Sequence, residues 1–238
     1  MSTRYAVGID IGGTKLLAAL IRSDGSVGDS LRAQTPADPD EISDVVAGLA
    51  RKLTVQHGRG SLPVGVGAAG IVGADGVMRF APNVAWTDYP LRDELERRID
   101  SAVLLDNDAN VAAWGEYRAG AGRDARDGML MLTIGTGLGG GLVADDRLYR
   151  GFQGFAGEFG HIIVLEGGPA CPCGNTGCLE ALASGSAIGR LATEAAAAGQ
   201  LPPDSALHGQ LELTGKSVTL AAQAGDEFAI GILETCGF

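Results

Sequence analysis

The sequence has little positive charge and no run of lysine and arginine. Its 18 Lys and Arg stand against 29 Asp and Glu, which gives a net charge of -11. Proteins that bind the phosphate backbone of DNA or RNA use clustered basic side chains, so a nucleic-acid partner is not expected.

Long apolar runs are also lacking, and the uncharged stretch at residues 128–144 contains six glycines and two threonines. Such a stretch is poor material for a membrane helix, so we expect no membrane partner.

Signal-peptide features and disulfide patterns are missing as well. No apolar segment of the secretory type follows the first residues, which predicts a cytoplasmic protein. There are only four cysteines, and three of them lie within eight positions. In a cytoplasmic chain this crowding indicates a metal site rather than a disulfide framework. With 45% hydrophobic residues over 238 positions, the chain can bury a sizeable core without cross-links.

Apolar strand patterns alternate with helical ones, which predicts an α/β fold. Asp38 is followed by Pro39 and Glu41 and then by apolar residues at helical spacing, so a helix is predicted over 39–56. Further helices are predicted over 109–119 and 226–235. Strands are predicted at residues 5–9, 16–21, 64–69, 103–106, 129–134 and 141–143.

Two glycine turns, at Asp10–Lys15 and Thr133–Gly141, each follow an apolar strand and precede another strand. Backbone N–H groups in such turns can face phosphate oxygens, although a merely tight hairpin is the alternative for either turn alone. The second turn satisfies G-x-G-x-x-G, but no helix follows it as dinucleotide binding requires. The repetition suggests two related lobes facing a cleft, predicted as residues 1–110 and 111–238.

A third glycine segment, Gly215–Ser217, ends like a Walker A loop but lacks the glycine that the loop needs upstream. We interpret it as a turn that starts a helix rather than as a nucleotide site.

Four metal-ligand residues have the spacing H-x9-C-x-C-x4-C, with Pro, Gly and Asn between them to supply turns. They are His161, Cys171, Cys173 and Cys178. Four protein ligands predict a closed, structural zinc site, and three buried thiols beside an ordinary histidine are the alternative.

Carboxylates lie beside this cluster and at the end of a predicted strand. Glu158 and Glu180 flank the metal-ligand segment, where zinc could hold them toward a polyhydroxylated ligand, and exposed salt-bridge partners are the alternative. The segment Asp106–Asn110 ends a strand and enters a helix. That position suits a general base, and a helix N-cap is the alternative.

In their order and content these motifs resemble the ROK family of sugar kinases, and most closely its glucokinases. The resemblance covers nearly the whole chain. The matching segments are Asp10–Lys15, Ala81–Asn83, Leu105–Asn110, Thr133–Gly137, Glu158–His161 and Cys171–Glu180.

The resemblance implies a two-lobed, actin-like fold of the hexokinase (ribonuclease H-like) type and ATP-dependent phosphorylation of glucose to glucose 6-phosphate. It implies that Asp108 is the general base and that Asp10 holds Mg²⁺ through water. The implied sugar ligands are Asn83, Asn107, Asp108, Glu158, His161 and Glu180. The implied nucleotide-phosphate ligands are Gly12, Gly13, Thr14, Lys15, Thr136 and Gly137. Structural Zn²⁺ is implied at His161, Cys171, Cys173 and Cys178.

The family pattern continues beyond residue 238 with a further strand, a Gly-Gly turn and a final helix. We therefore expect a truncated C-terminal lobe, with weakened nucleotide affinity and exposed apolar surface that favours self-association into a homo-oligomer, a dimer or tetramer. The alternatives are a polyphosphate-dependent glucokinase, a kinase for fructose or N-acetylmannosamine, and a catalytically impaired sugar-binding fragment. A repressor of the same family is not expected, because Asp10 leaves no room for a helix-turn-helix before it.

Overall fold

The structure is a computed structural model that describes residues 4–58, 60–81 and 84–237. The chain divides into two compact units. Unit one comprises Met1–Met131 and Gly141–Gly157, and unit two comprises Leu132–Gly140 and Glu158–Phe238.

Unit one is built on a five-stranded sheet with the order β3-β2-β1-β4-β8 and a three-stranded sheet with the order β5-β6-β7. The strands are β1 (Tyr5–Ile11), β2 (Lys15–Arg22), β3 (Val27–Gln34), β4 (Val64–Ala68), β5 (Ile71–Val72), β6 (Met78–Phe80), β7 (Thr87–Tyr89) and β8 (Val103–Asn107). The helices are α1 (Pro39–Gln56), α2 (Leu91–Ile99) and α3 (Asp108–Ala119).

Helix α1 begins and ends where its sequence predicts. The Asp38 side chain accepts hydrogen bonds from the backbone N–H groups of Asp40 and Glu41, and Pro39 occupies the first turn, where no N–H is needed. The apolar face of the helix, including Ile42 and Leu53, is fully buried in the core of unit one. The helix therefore covers the five-stranded sheet with a continuous apolar stripe.

The sheet register brings together the ends of three strands. Strand β4 pairs in parallel with β1 and β8, so Asp10 of β1 lies opposite Gly67, and Gly67 lies opposite Asp106 of β8. The carboxyl ends of β1 and β8 therefore lie at the same edge of the sheet. Polar side chains that follow parallel strands project at such an edge.

The third sheet has the order β11-β10-β9. Its strands are β9 (Met129–Ile134), β10 (Leu138–Ala144) and β11 (Arg147–Leu148). Both β9 and β10 are shared between the units, because the chain passes between units within each of them. The predicted strand 141–143 is thus the second half of β10, which starts three residues earlier than predicted.

Unit two contains the loops around the cysteine cluster and a helical layer. Its elements are a short 3-10 helix (Phe159–His161), α4 (Leu179–Ala183), α5 (Gly185–Ala197), α6 (Gly215–Gln223) and α7 (Glu227–Gly237). A separate core joins the last three helices, centred on Ala192, Leu207, Val218, Ala221 and Ala229.

The two units do not follow a single break in the chain, and α3 lies in unit one. The lobes predicted at residues 1–110 and 111–238 stay a prediction about family architecture. Within the described residues, none of the helices combines the length and the apolar character that a membrane crossing requires.

Candidate active site

Asp108 is the first residue of α3 and follows β8 directly. Its Oδ1 accepts a hydrogen bond from the Ala109 N–H at 2.8 Å. Within the described residues, the Oδ2 of Asp108 has no hydrogen-bond partner. The side chain is half-buried, so one carboxylate oxygen is held and the other is available. This is the arrangement that a general base needs.

Asn107 caps the same helix. Its Oδ1 accepts hydrogen bonds from the N–H groups of Ala109 and Asn110, at 2.9 and 3.2 Å, and its Nδ2 donates to the Gly70 carbonyl at 3.0 Å. The helix N-cap considered as an alternative is therefore present at Asn107 itself. The cap fixes the start of α3 and with it the position of Asp108.

Asp106 supports the segment from the strand side. Its Oδ1 accepts a hydrogen bond from the Asn110 side-chain amide at 3.0 Å, and its Oδ2 accepts one from Arg150 Nε at 2.6 Å. The Asp106 side chain is 13% exposed, so this ion pair is partly shielded from water. Both oxygens of Asp106 are thus engaged, which leaves Asp108 as the carboxylate of the segment with a free oxygen.

Asp10 faces a like charge. Although it retains solvent-accessible surface, desolvation raises the pKa of its carboxyl group, and the negative charge of Asp108 raises it further. The Lys15 ammonium acts in the opposite direction. Two carboxylates that repel each other at one sheet edge would both be stabilised by a divalent cation, so the charges fit a hard metal ion.

In the first glycine turn, two carbonyl groups accept hydrogen bonds, whereas two N–H groups have no acceptor among the described residues. The Gly12 carbonyl accepts from the Thr35 hydroxyl at 2.7 Å, and the Thr14 carbonyl accepts from the Thr35 N–H at 3.1 Å. The Gly12 N–H donates to the Lys15 carbonyl. Among the described residues, the N–H groups of Gly13 and Thr14 have no acceptor.

The second glycine turn, residues 135–137 in unit two, repeats this pattern. The carbonyls of Gly135 and Thr136 accept from the N–H groups of Gly185 and Ser186, at 2.8 and 3.1 Å, and the Gly137 carbonyl accepts from Gly135 N–H. Across the described part of the chain, the N–H groups of Thr136 and Gly137 find no acceptor. N–H groups without an acceptor, on a turn whose carbonyls are hydrogen-bonded, suit an anion.

The four predicted metal ligands come together. One ligand atom from each of the four predicted residues lies within 4.8 Å of the others. Cys171 Sγ is 3.6 Å from His161 Nδ1, and Cys173 Sγ is 3.7 Å from Cys178 Sγ. Ligand atoms around a tetrahedral zinc ion with Zn–S bonds of about 2.3 Å lie about 3.8 Å apart. The cluster therefore fits Zn²⁺ with all four positions filled by protein.

The thiols of the cluster differ in acidity. Burial raises the pKa of Cys171 and raises the pKa of Cys178 to about 12, whereas the N–H of Asn175 lowers the pKa of Cys173. Two of the three thiols thus resist ionisation in the protein alone. A bound cation supplies the positive charge that thiolates at such positions require.

The remaining predicted ligands in unit two are Glu158 and Glu180. Glu158 is exposed and immediately precedes the 3-10 helix that carries His161. Glu180 is half-buried in the first turn of α4, and its Oε2 accepts a hydrogen bond from the Leu138 N–H at 2.7 Å. The predicted sugar ligand Asn83 lies outside the described residues.

A cavity of about 950 Å³ adjoins the second turn. Thr136 lines it together with the N-terminal residues of α5 and α6, among them Ser186, Thr214 and Lys216. Thr214 caps α6, and its hydroxyl accepts from the Ser217 N–H. The interpretation of Gly215–Ser217 as a helix start is therefore confirmed, and the same segment also forms a wall of the cavity.

Ser186 and Thr214 were not among the predicted site residues. The available signals were Ser184 and Thr214, each directly before a glycine and a helical stretch, which are typical N-caps. Convergence of the two helix starts on Thr136 depends on tertiary packing, so spacing in the sequence does not reveal it.

Comparison with known proteins identifies the family of the chain. A family model described as "ROK family" matches residues 6–238. A glucokinase of Halalkalibacterium halodurans is 41% identical, with 98% of this chain and 73% of that protein covered. An N-acetylmannosamine kinase of Escherichia coli is 38% identical, with 93% of this chain and 70% of that protein covered.

Among solved structures, a ROK family glucokinase from Streptomyces griseus in complex with glucose and AMPPNP matches with a TM-score of 0.81 and 39% identity. The match covers 96% of this chain and 74% of that one. The predicted α/β fold of the actin-like, hexokinase type is thereby confirmed.

Proposed function

Because the chain belongs to the ROK family and is a sugar kinase of that family, we propose that it transfers the γ-phosphoryl group of ATP to glucose. The product is glucose 6-phosphate. The observation that supports this most directly is the free Oδ2 of Asp108, held at the start of a capped helix at an edge where Asp10 supplies a second carboxylate.

Asp108 acts as the general base. As the sugar 6-hydroxyl oxygen bonds to the γ-phosphorus, its proton passes to Asp108 Oδ2. The bond between the γ-phosphorus and the bridging oxygen breaks, and ADP leaves with that oxygen. Asn107 contributes by holding the start of α3, since a displaced carboxylate loses its alignment with the hydroxyl.

The family resemblance assigns both glycine turns to the binding of nucleotide phosphates. Each turn has two adjacent N–H groups without an acceptor among the described residues. They belong to Gly13 and Thr14 in unit one and to Thr136 and Gly137 in unit two. The cavity beside Thr136 has the volume for a nucleoside, and Lys216 adds a positive charge to its wall. These features support ATP as the donor.

Two metal ions complete the proposal. Asp10 would hold Mg²⁺ through water, and this ion when bound neutralises charge on the transferring phosphoryl group. His161, Cys171, Cys173 and Cys178 would hold Zn²⁺ as a structural ion, because no ligand position remains for a substrate.

The proposed sugar ligands in unit two flank the zinc cluster. Glu158 and Glu180 would accept hydrogen bonds from sugar hydroxyls. The Nδ1 of His161 lies 3.6 Å from the Cys171 thiol. The other ring nitrogen, Nε2, is therefore the one that can donate its N–H to a sugar hydroxyl. The roles of Asn107, Asp108 and Asn83 toward the sugar rest on the family resemblance.

The test of the base is Asp108→Asn, which keeps the shape of the side chain and its acceptor for the Ala109 N–H. We expect kcat to fall about 10²- to 10⁴-fold with little change in glucose affinity. Coupled detection of glucose 6-phosphate measures kcat, and calorimetry measures the affinity for glucose. The control is Asp127→Asn at an exposed site, purified in parallel and expected to keep wild-type turnover. Retained turnover in Asp108→Asn would show that another group takes the proton.

The second candidate sugar is N-acetylmannosamine, because a kinase for it is 38% identical to this chain. The same assay with glucose, N-acetylmannosamine and fructose ranks the acceptors by kcat/KM. Replacing ATP with polyphosphate tests the donor, since phosphate-binding turns do not read the base. Glucose with ATP is expected to give the highest value, and a higher value for another pair would reassign the substrate.

A further inference from the structure

The backbone of Leu138 is held on two sides by the metal-binding part of unit two. Its N–H donates to Glu180 Oε2 at 2.7 Å. Its carbonyl oxygen lies so close to Gly160 that a Cβ at position 160 would collide with it. Leu138 is buried, and it directly follows residues 135–137 of the second glycine turn.

Gly160 and Glu180 are near neighbours of metal ligands in the chain. Gly160 directly precedes His161, and Glu180 follows Cys178 by two residues. The two segments are joined by a hydrogen bond from the Leu179 N–H to the Ile162 carbonyl at 2.9 Å. An ion bound by both His161 and Cys178 would therefore fix both contacts to Leu138 at once.

The turn that precedes Leu138 contacts both the start of α5 and Glu180. The carbonyls of Gly135 and Thr136 are bound by the start of α5, and the Glu180 carboxylate lies so close to Gly137 that a side chain there would overlap it. The N–H groups of Thr136 and Gly137 have no acceptor among the residues that the structure describes. Losing the Glu180 contact would release the end of the turn where it enters β10.

We propose that Glu180 is a positioning residue for the turn at Thr136 and Gly137, and that metal binding at His161 and Cys178 sets the affinity of this turn for nucleotide. The inference rests on the proposed function, which assigns that turn to the nucleotide phosphates. It gives the zinc cluster an effect on the phosphoryl donor in addition to its predicted effect on the sugar.

The hydrogen bond and the charge of Glu180 can be separated by two variants. Glu180→Gln keeps an oxygen that can accept from the Leu138 N–H, whereas Glu180→Ala leaves that buried N–H unpaired. In zinc-loaded protein without sugar, we expect Glu180→Ala to weaken AMPPNP binding about tenfold and Glu180→Gln to keep the wild-type affinity for AMPPNP. Removing the metal from the wild-type protein with a chelator should weaken AMPPNP binding to a similar degree. Calorimetry measures all three, and Glu166→Ala at an exposed site of the metal-binding segment is the matched control.

Hydrogen exchange of the Leu138 amide gives a second readout that needs no nucleotide. Protection should fall in Glu180→Ala and in metal-free protein, and should persist in Glu180→Gln. Wild-type affinity in Glu180→Ala, equal weakening in both variants, or unchanged binding after metal removal would each overturn the inference. A wild-type protein that protects the Leu138 amide but does not bind AMPPNP would instead contradict the proposed function.

Discussion

At the scale of single residues, Asp10 is a carboxylate whose ionised form is disfavoured in the folded protein. Desolvation and the charge of Asp108 raise its pKa above the value in an unfolded chain. The folded state therefore binds this proton more tightly, and stability falls as the pH rises through the usual Asp range and through the raised pKa. At neutral pH, the ionised side chain destabilises the protein unless a cation is bound.

We predict that Asp10→Asn raises Tm slightly at neutral pH without divalent cations, because it removes a repelled charge, while it strongly reduces turnover. In the wild-type protein, Mg²⁺ affinity should fall as the pH drops through the raised pKa of Asp10, because protons compete for the carboxylate. Differential scanning calorimetry and Mg²⁺ titrations at several pH values measure these effects. The exposed Asp127→Asn should change neither quantity. A lower Tm in Asp10→Asn would mean that attraction to Lys15 outweighs the repulsion.

Whether a residue's contacts could be predicted from the sequence depended on how far apart the contacting residues lie in the chain. The features of Asn107 and Asp108 could be predicted because an N-cap and a carboxylate after a strand are local sequence patterns. The structure has both features. The contact between Leu138 and Glu180 joins residues 42 positions apart. No periodicity or spacing encodes such a contact, so the sequence predicted Glu180 as a ligand or a salt-bridge partner but not as the acceptor for a backbone N–H.

At the scale of elements, α7 depends on a residue just outside it. The Asp226 Oδ1 accepts from the Ala229 N–H at 3.0 Å, and its Oδ2 accepts from the Ser205 hydroxyl and the Ala206 N–H, both at 2.7 Å. The N–H of Ala229 is the largest cause that lowers the pKa of Asp226. One carboxylate therefore caps the helix and bonds it to the loop between α5 and α6.

We predict that Asp226→Ala costs about 1 to 2 kcal/mol of unfolding free energy at neutral pH. Asp226→Asn should lose less, because its amide oxygen still caps the helix. Since the folded pKa is lowered, the contribution is present above the usual Asp range and disappears as the pH falls through that range and the lowered pKa. Denaturant titrations at neutral and acidic pH measure the difference, with Glu227→Gln as the surface control. An equal loss at both pH values would mean that the ionised carboxylate is not responsible.

Elements with strong local signals were predicted well, and those without them were not. Helix α1 begins at Pro39 as expected because Asp38 and Pro39 are both start signals. Strand β10 begins at Leu138 rather than at Gly141, because glycines conceal a strand that is stabilised by its neighbours. Helices α5 and α6 start with glycine and are rich in alanine, so their apolar faces became evident only from the core that they share.

At the scale of the whole molecule, each unit has its own core. The core of unit one is formed by strands and helices that contain none of the four predicted metal ligands. The cysteine cluster lies wholly in unit two, beside loops with few buried side chains. Metal removal should therefore affect the two units unequally, because the binding free energy of a structural ion stabilises the segment that supplies its ligands.

We predict that chelating the metal lowers hydrogen-exchange protection about tenfold or more in residues 159–180, because ordered loops there depend on the ion. Protection in β1, β2 and β4 should be unchanged. Cys173→Ser should reproduce this pattern and lower the zinc content measured by mass spectrometry, whereas Cys236→Ser, outside the cluster, should retain both zinc and protection. Equal loss of protection in both units would mean that they unfold as one cooperative body. Full protection of residues 159–180 in metal-free protein would mean that the cluster is stable as free thiols.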